Sequence, residues 1–161
     1  MTPDINRLYA FTLGHCEMLV ADIPEDQMRH QPSPGVNSPA WQIGHLVWAS
    51  DLLATLLGAE AVLPASYAEQ FGMGSDPSKL GDDCPSKDEL MAALRDSHER
   101  LSAACPNADP QVLASPNPVE LIQGPLPTLR DLAIHVMTTH EGMHLGHLSS
   151  WRRQMGKPPL F

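Results

Sequence analysis

The chain has 161 residues, a net charge of −9, and 42% apolar against 18% charged residues. That length suits a single domain with a sizeable core over residues 1–161, and no apolar run approaches the roughly 18 residues of a membrane span. The acidic balance argues against nucleic acid, which needs a basic footprint, while the lack of a basic, apolar leader and of any C-x-x-C among Cys16, Cys84 and Cys105 predicts a reduced, cytoplasmic protein.

Thr2 can cap a first helix, with Pro3 at its first position and Asp4 in its first turn. Leu8, Phe11, Leu13, Met18 and Leu19 recur at helical spacing along it, and the helix should end near Ile23, ahead of Pro24. His15 on this segment reads as a structural or surface residue. Residues 24–37 form a linker punctuated by Gln31-Pro32-Ser33-Pro34-Gly35.

Ser38 caps a second helix, again followed by proline at Pro39. Ile43, Leu46, Val47, Leu52, Leu53, Leu56 and Leu57 follow, and Gly58 sits where a C′ glycine belongs. His45 lies between Trp41 and Trp48. It is either a buried, hydrogen-bonded histidine or a metal ligand from this helix. Residues 59–85 are loop-rich, with a short helix expected over 64–71 and a turn cluster at 72–77. An excursion of that length often builds a pocket rim.

Ser86 and Glu89 form a capping box for a third helix running to about Ala104, before Pro106. His98, flanked by Arg95, Asp96, Glu99 and Arg100, reads as a surface residue. Residues 106–127 are again proline-rich, with a helical turn expected after Pro110. Thr128 and Asp131 cap a fourth helix that should run unbroken to about Met155, where Gly156 and Pro158-Pro159 stop it. About 27 residues would span roughly 40 Å. No stretch alternates apolar and polar residues, so the expected fold is all-α. It is a four-helix bundle with long crossover loops at its ends.

On the fourth helix, each residue advances about 100°. His144 therefore lies about 40° round from His140, with His147 about 20° to the other side. Three imidazoles share one stripe in a chain with eight histidines. The pair His140 and His144, at i and i+4, can hold one metal ion from a single helix face, imidazole being the commonest metal ligand. Glu141 lies about 60° from His144, within reach of a water on such an ion. His135, about 140° from His140, should not share that site.

His140-Glu141-Gly142-Met143-His144 also matches H-E-x-x-H, the zinc-peptidase string. The extended form of that motif needs glycine at 147 and histidine at 150, where this chain has His147 and Ser150. The other form needs a downstream acidic ligand, and no Asp or Glu follows Glu141. A peptidase is therefore disfavoured.

Three segments together resemble another family. Ser38-Pro39-Ala40-Trp41-Gln42-Ile43-Gly44-His45-Leu46 resembles the second-helix motif of the DinB-like superfamily, which includes the YfiT group. His140-x-x-x-His144-x-Gly146-His147 resembles its C-terminal H-x-x-x-H-x-G-Q motif, with His147 where the family usually has glutamine. Trp151-Arg152-Arg153 and Gly156-Lys157-Pro158 resemble its ending. The resemblance implies a four-helix bundle, often a homodimer, with a divalent metal on His45, His140 and His144.

It also implies, from some members, a transferase or isomerase that uses a low-molecular-weight thiol. The expectation is thus a zinc or nickel site with an open position, acting on a small electrophilic molecule. Glu141 or His147 would serve as a supporting or proton-transfer group. The alternatives are a hydrolase using water as nucleophile, and a non-enzymatic helical module with a structural metal.

Overall fold

The computed structural model describes residues 3–160, so the Thr2 cap expected for the first helix lies outside them. Helix α1, Pro3–Val20, turns Tyr9, Cys16, Leu19 and Val20 inward. Of the apolar positions expected to form its inner face, Leu8, Phe11 and Met18 instead face solvent at 53%, 67% and 49% exposure. Those three lie within about 80° of one another on a helix, so they form a second apolar stripe beside the buried one.

Helix α2, Pro39–Leu56, is buried on nearly every side. Ser38 caps it by accepting from the Trp41 amide at 3.3 Å. A short helix, α3 (Ala65–Phe71), follows in the first long connection, with a 3-10 turn at Pro77–Lys79. This excursion does not merely cross the end of the molecule, as expected, but folds back against α2.

Helix α4, Lys87–Asn107, opens with the anticipated Ser86–Glu89 box. It runs past Pro106 instead of stopping at Ala104. Proline cannot donate to the carbonyl four residues back. Here that carbonyl, on Ser102, accepts from Asn6 Nδ2 at 3.4 Å, and Asn107 Nδ2 bonds the Ala103 carbonyl at 2.8 Å. The Asn6 side chain thus replaces the one missing donor, and the last turn survives. Two single-turn helices, α5 (Pro110–Leu113) and α6 (Glu120–Gln123), occupy the second connection.

The expected fourth helix is split. Helix α7, Leu129–His135, starts on the Thr128–Asp131 box; a π-turn follows at Val136–His140; α8 then runs over Glu141–Gln154. Hydroxyls accompany the widened turn. Thr138 Oγ1 donates to the Ile134 carbonyl at 2.5 Å, and Thr139 Oγ1 to the His135 carbonyl at 3.5 Å. Such back-bonding competes with the α-helical ladder.

The four long stretches surround a shared interior: α1 packs on α4 and α8, and α2 packs on α4 and α8. No strand forms among the described residues; one isolated bridge joins Pro116 and Thr128. One buried cluster gathers Ile43, Leu46, Leu94, Leu148 and Trp151, another Tyr9, Leu53, Leu101, Leu132 and Met137. Each such side chain is worth about 1.5–3 kcal/mol when fully buried.

The end of α8 is tied down by polar groups. Trp151 Nε1 donates to the His30 carbonyl at 2.8 Å. Buried Arg152 donates to the Leu19 carbonyl at 2.8 Å and grips the Asp22 carboxylate through both guanidinium nitrogens. That hydrogen bond holds the Asp22 carboxyl below the usual range. Among the described residues, no helix is long and apolar enough to cross a membrane.

Candidate metal centre

His45 projects from the buried middle of α2, and its setting explains much of the motif around it. Gly44 lies under the Phe71 ring. A Cβ there would come within 2.3 Å of a ring carbon, closer than any real contact. Glycine therefore lets the end of α3 rest on α2. That close approach brings the Phe71 carbonyl to His45 Nδ1 at 2.7 Å. Trp41 stacks on the imidazole at 4.9 Å and 10°, and Trp48 flanks it at 5.6 Å. Trp41 is itself fixed through Nε1 donating to Ser75 Oγ at 2.8 Å.

His140 ends the π-turn and His144 sits one α-turn later, with ring centroids 4.6 Å apart. Both face His45, at 5.2 and 4.9 Å between centroids. His144 Nδ1 meets Gln42 Oε1 at 2.9 Å. One ligand atom from each of His45, His140 and His144 lies within 4.8 Å of the other two. They are the group that could hold a metal ion among the described residues.

The chemistry of the set fits an ion. With Nδ1–H of His45 given to a carbonyl and Nδ1–H of His144 given to an amide oxygen, both Nε2 lone pairs are free to ligate. Metal-bound histidines nearly always donate their other nitrogen in this way, which fixes tautomer and ring angle. Two nitrogens bound tetrahedrally at about 2.0–2.1 Å stand about 3.3–3.4 Å apart. His45 Nε2 and His140 Nε2 stand 3.2 Å apart.

Burial pushes the His140 imidazole down to about 3 and that of His144 to about 2, with neighbouring histidines adding to it. His45 is lowered too, by burial, against the opposing bond to Phe71. All three are therefore neutral at pH 7, the form that ligates. The Nδ1 of His140 is buried without a protein partner.

The remaining candidates are distributed differently. Glu141 does not join the three imidazoles. Its carboxylate, 1% exposed, accepts from His98 Nε2 at 2.5 Å and from Thr12 Oγ1. His98, expected at the surface, is 4% exposed and stacks flat on Tyr9 at 3.7 Å. Its stripe partners are Leu94, Leu101 and Cys105, all buried, which outweighs the charged residues adjacent in sequence.

His147 is exposed, its ring 5.9 Å from that of His144. His135 stays outside the three-histidine group, as expected, although its ring lies nearer than an α-helix would bring it, 5.6 Å from that of His140. An i→i+5 turn brings the sixth residue round to the same face, where an α-helix would place it well aside. Sequence reasoning missed Gln42 and the Phe71 carbonyl. Gln42 had a local signal, being the one amide in a run of apolar residues and one turn before His45.

The comparison with curated proteins found no match. The sequence model of the DinB superfamily matches residues 9–148, which contain His45, His140, His144 and the groups that orient them. The chain belongs to the DinB superfamily.

Proposed function

We propose that the protein is a metal-dependent enzyme in which His45, His140 and His144 hold a zinc or nickel ion and leave at least one coordination position open. The fold is read as the superfamily's four-helix bundle, with the split α7–α8 stretch as its fourth member. The reaction is the addition or transfer of a low-molecular-weight thiol onto a small electrophilic molecule.

The observation that carries the metal site is the convergence of three neutral imidazoles, two of them with their outer nitrogens already engaged. No carboxylate belongs to the group to close it. When bound, such an ion supplies a Lewis acid that keeps a coordinated thiol deprotonated at neutral pH. Zinc and nickel both suit imidazole.

The chain's own residues contribute placement and proton handling. Gln42 and the Phe71 carbonyl aim two ligands. Glu141, held by His98 and Thr12, is a positioning residue that anchors the start of α8 next to His140. His147, exposed beside His144, is placed to exchange a proton with solvent at the rim. The attacking thiol is not one of the chain's cysteines: burial pushes Cys16 and Cys105 up to about 12, and Cys84 is raised as well. Thiols in that state are poor nucleophiles.

The test is metal analysis of the purified protein followed by turnover assays with several thiols and electrophiles. Turnover that needs both metal and added thiol supports the reading. Turnover with metal and water alone contradicts it in favour of hydrolysis. We also expect a homodimer, with Leu8, Phe11 and Met18 of α1 as its apolar contact; light scattering should then return twice 17.5 kDa.

A further inference from the structure

A cavity adjoins two of the three imidazoles, His45 and His140, which form part of its wall. The rest includes Trp48 and Leu53 of α2 and Leu132 of α7, with Ile122 of α6 at the side. About 90 Å³ is open to the centre of a water molecule. No Asp, Glu, Lys or Arg lines it. The π-turn places His135 on the same wall, where its Nδ1 meets Thr139 Oγ1 at 2.6 Å.

We propose that this cavity receives the uncharged, apolar part of the substrate, a group of about four carbons, and presents the adjoining reactive atom to the metal. The proposal rests on the reading of the three histidines as a metal site. Size sets the first limit. An engineered apolar cavity of about 150 Å³ holds benzene, so about 90 Å³ holds roughly four carbons. Charge sets the second. An ionised group placed among Leu53, Leu132 and Ile122 would lose its hydration with no counter-charge to meet it, which is strongly disfavoured. A thiol or electrophile bearing a carboxylate or an ammonium group must keep that end in solvent, which the lining residues Leu52 and Met73 reach at 38% and 55% exposure.

The location supports a substrate role rather than a packing defect. The walls come from elements distant in sequence: α2, the turn cluster after α3, α6, and α7 with the π-turn. The π-turn widens the helix where the cavity meets His140, and such turns concentrate at functional sites. A short apolar chain inside would end within reach of the imidazole nitrogens.

The experiment titrates metal-free and zinc-loaded protein with 1-propanol, 1-butanol and 1-pentanol, and with alkylammonium ions of matching length, following amide shifts by NMR. Each added methylene should tighten alcohol binding about fourfold up to four carbons, then less. The ammonium ions should bind at least tenfold more weakly. Ile122→Glu and Leu52→Glu should each weaken alcohol binding about tenfold while leaving zinc affinity unchanged.

Equal binding of alcohols and ammonium ions, or no dependence on chain length, overturns the proposal. So does wild-type alcohol affinity in both variants. Length-dependent alcohol binding in a protein that takes up no zinc supports the apolar cavity and sinks the metal reading instead.

Discussion

Replacing Gln42 with leucine separates the metal site from the fold. Gln42 touches the site through one bond, from His144 Nδ1 to its Oε1 at 2.9 Å. Its own Nε2 is buried without a partner. Leucine has a similar volume and no polar atoms, so Gln42→Leu removes an unsatisfied donor and an acceptor together. Deleting the unsatisfied donor is favourable, but His144 Nδ1–H is left buried without an acceptor, so the metal-free protein should lose no more than about 3 kcal/mol of stability.

Metal affinity should respond differently. His144 keeps its imidazole but loses the group that fixes its tautomer and ring angle. Loss of such a partner costs about 10- to 100-fold in metal affinity. Gln42→Glu is the companion, since it retains an acceptor oxygen and makes the imidazole a stronger donor; it should bind zinc at least as tightly as wild type. Competition titration against a chromogenic chelator reads affinity, and thermal unfolding of metal-free protein reads stability. Wild-type zinc affinity in Gln42→Leu would refute the reasoning, because His144 would then need no orienting partner.

Other outcomes follow from neighbouring features. Gly44→Ala forces the Phe71 ring away, since its Cβ would lie 2.3 Å from it; overpacking of this kind costs about 1–3 kcal/mol in chemical denaturation. His98→Leu leaves Glu141 buried with only Thr12 beside it, and stranding one partner of a buried pair costs about 3–5 kcal/mol. The double variant His98→Leu with Glu141→Met should recover most of that loss. The metal-free protein should also lose stability as pH falls below about 6.5, because the unfolded histidines protonate there while His140 and His144 stay neutral down to about 3 and about 2. Their contribution is thus fully present above 6.5 and declines through that window. The slope of melting temperature against pH should flatten in His140→Leu with His144→Leu, and an unchanged slope would count against the burial of those imidazoles.

What was legible in the sequence was what depends on neighbours a few residues apart. The caps at Ser38, Ser86 and Thr128 and the i, i+4 pair His140 and His144 are local geometry, and each appears as expected. The groups that aim the ligands were not legible in the same way. The Phe71 carbonyl reaches His45 across 26 residues of chain, through a contact that exists because Gly44 lacks a side chain. The π-turn was hidden because Thr138 and Thr139 are compatible with an ordinary helix. Whether their hydroxyls take the carbonyls of Ile134 and His135 is decided by packing. His98 was misread for a different reason: its adjacent charges drew attention, although Leu94 and Leu101 share its stripe.

The most direct measurement of the central claim is zinc titration of single histidine-to-alanine variants. His45→Ala, His140→Ala and His144→Ala should each lose binding, whereas His15→Ala and His135→Ala should retain it. His147→Ala should keep metal while changing the pH dependence of turnover. If His45→Ala binds zinc as tightly as wild type while His147→Ala does not, the third ligand comes from α8 rather than α2, and the account of the site fails.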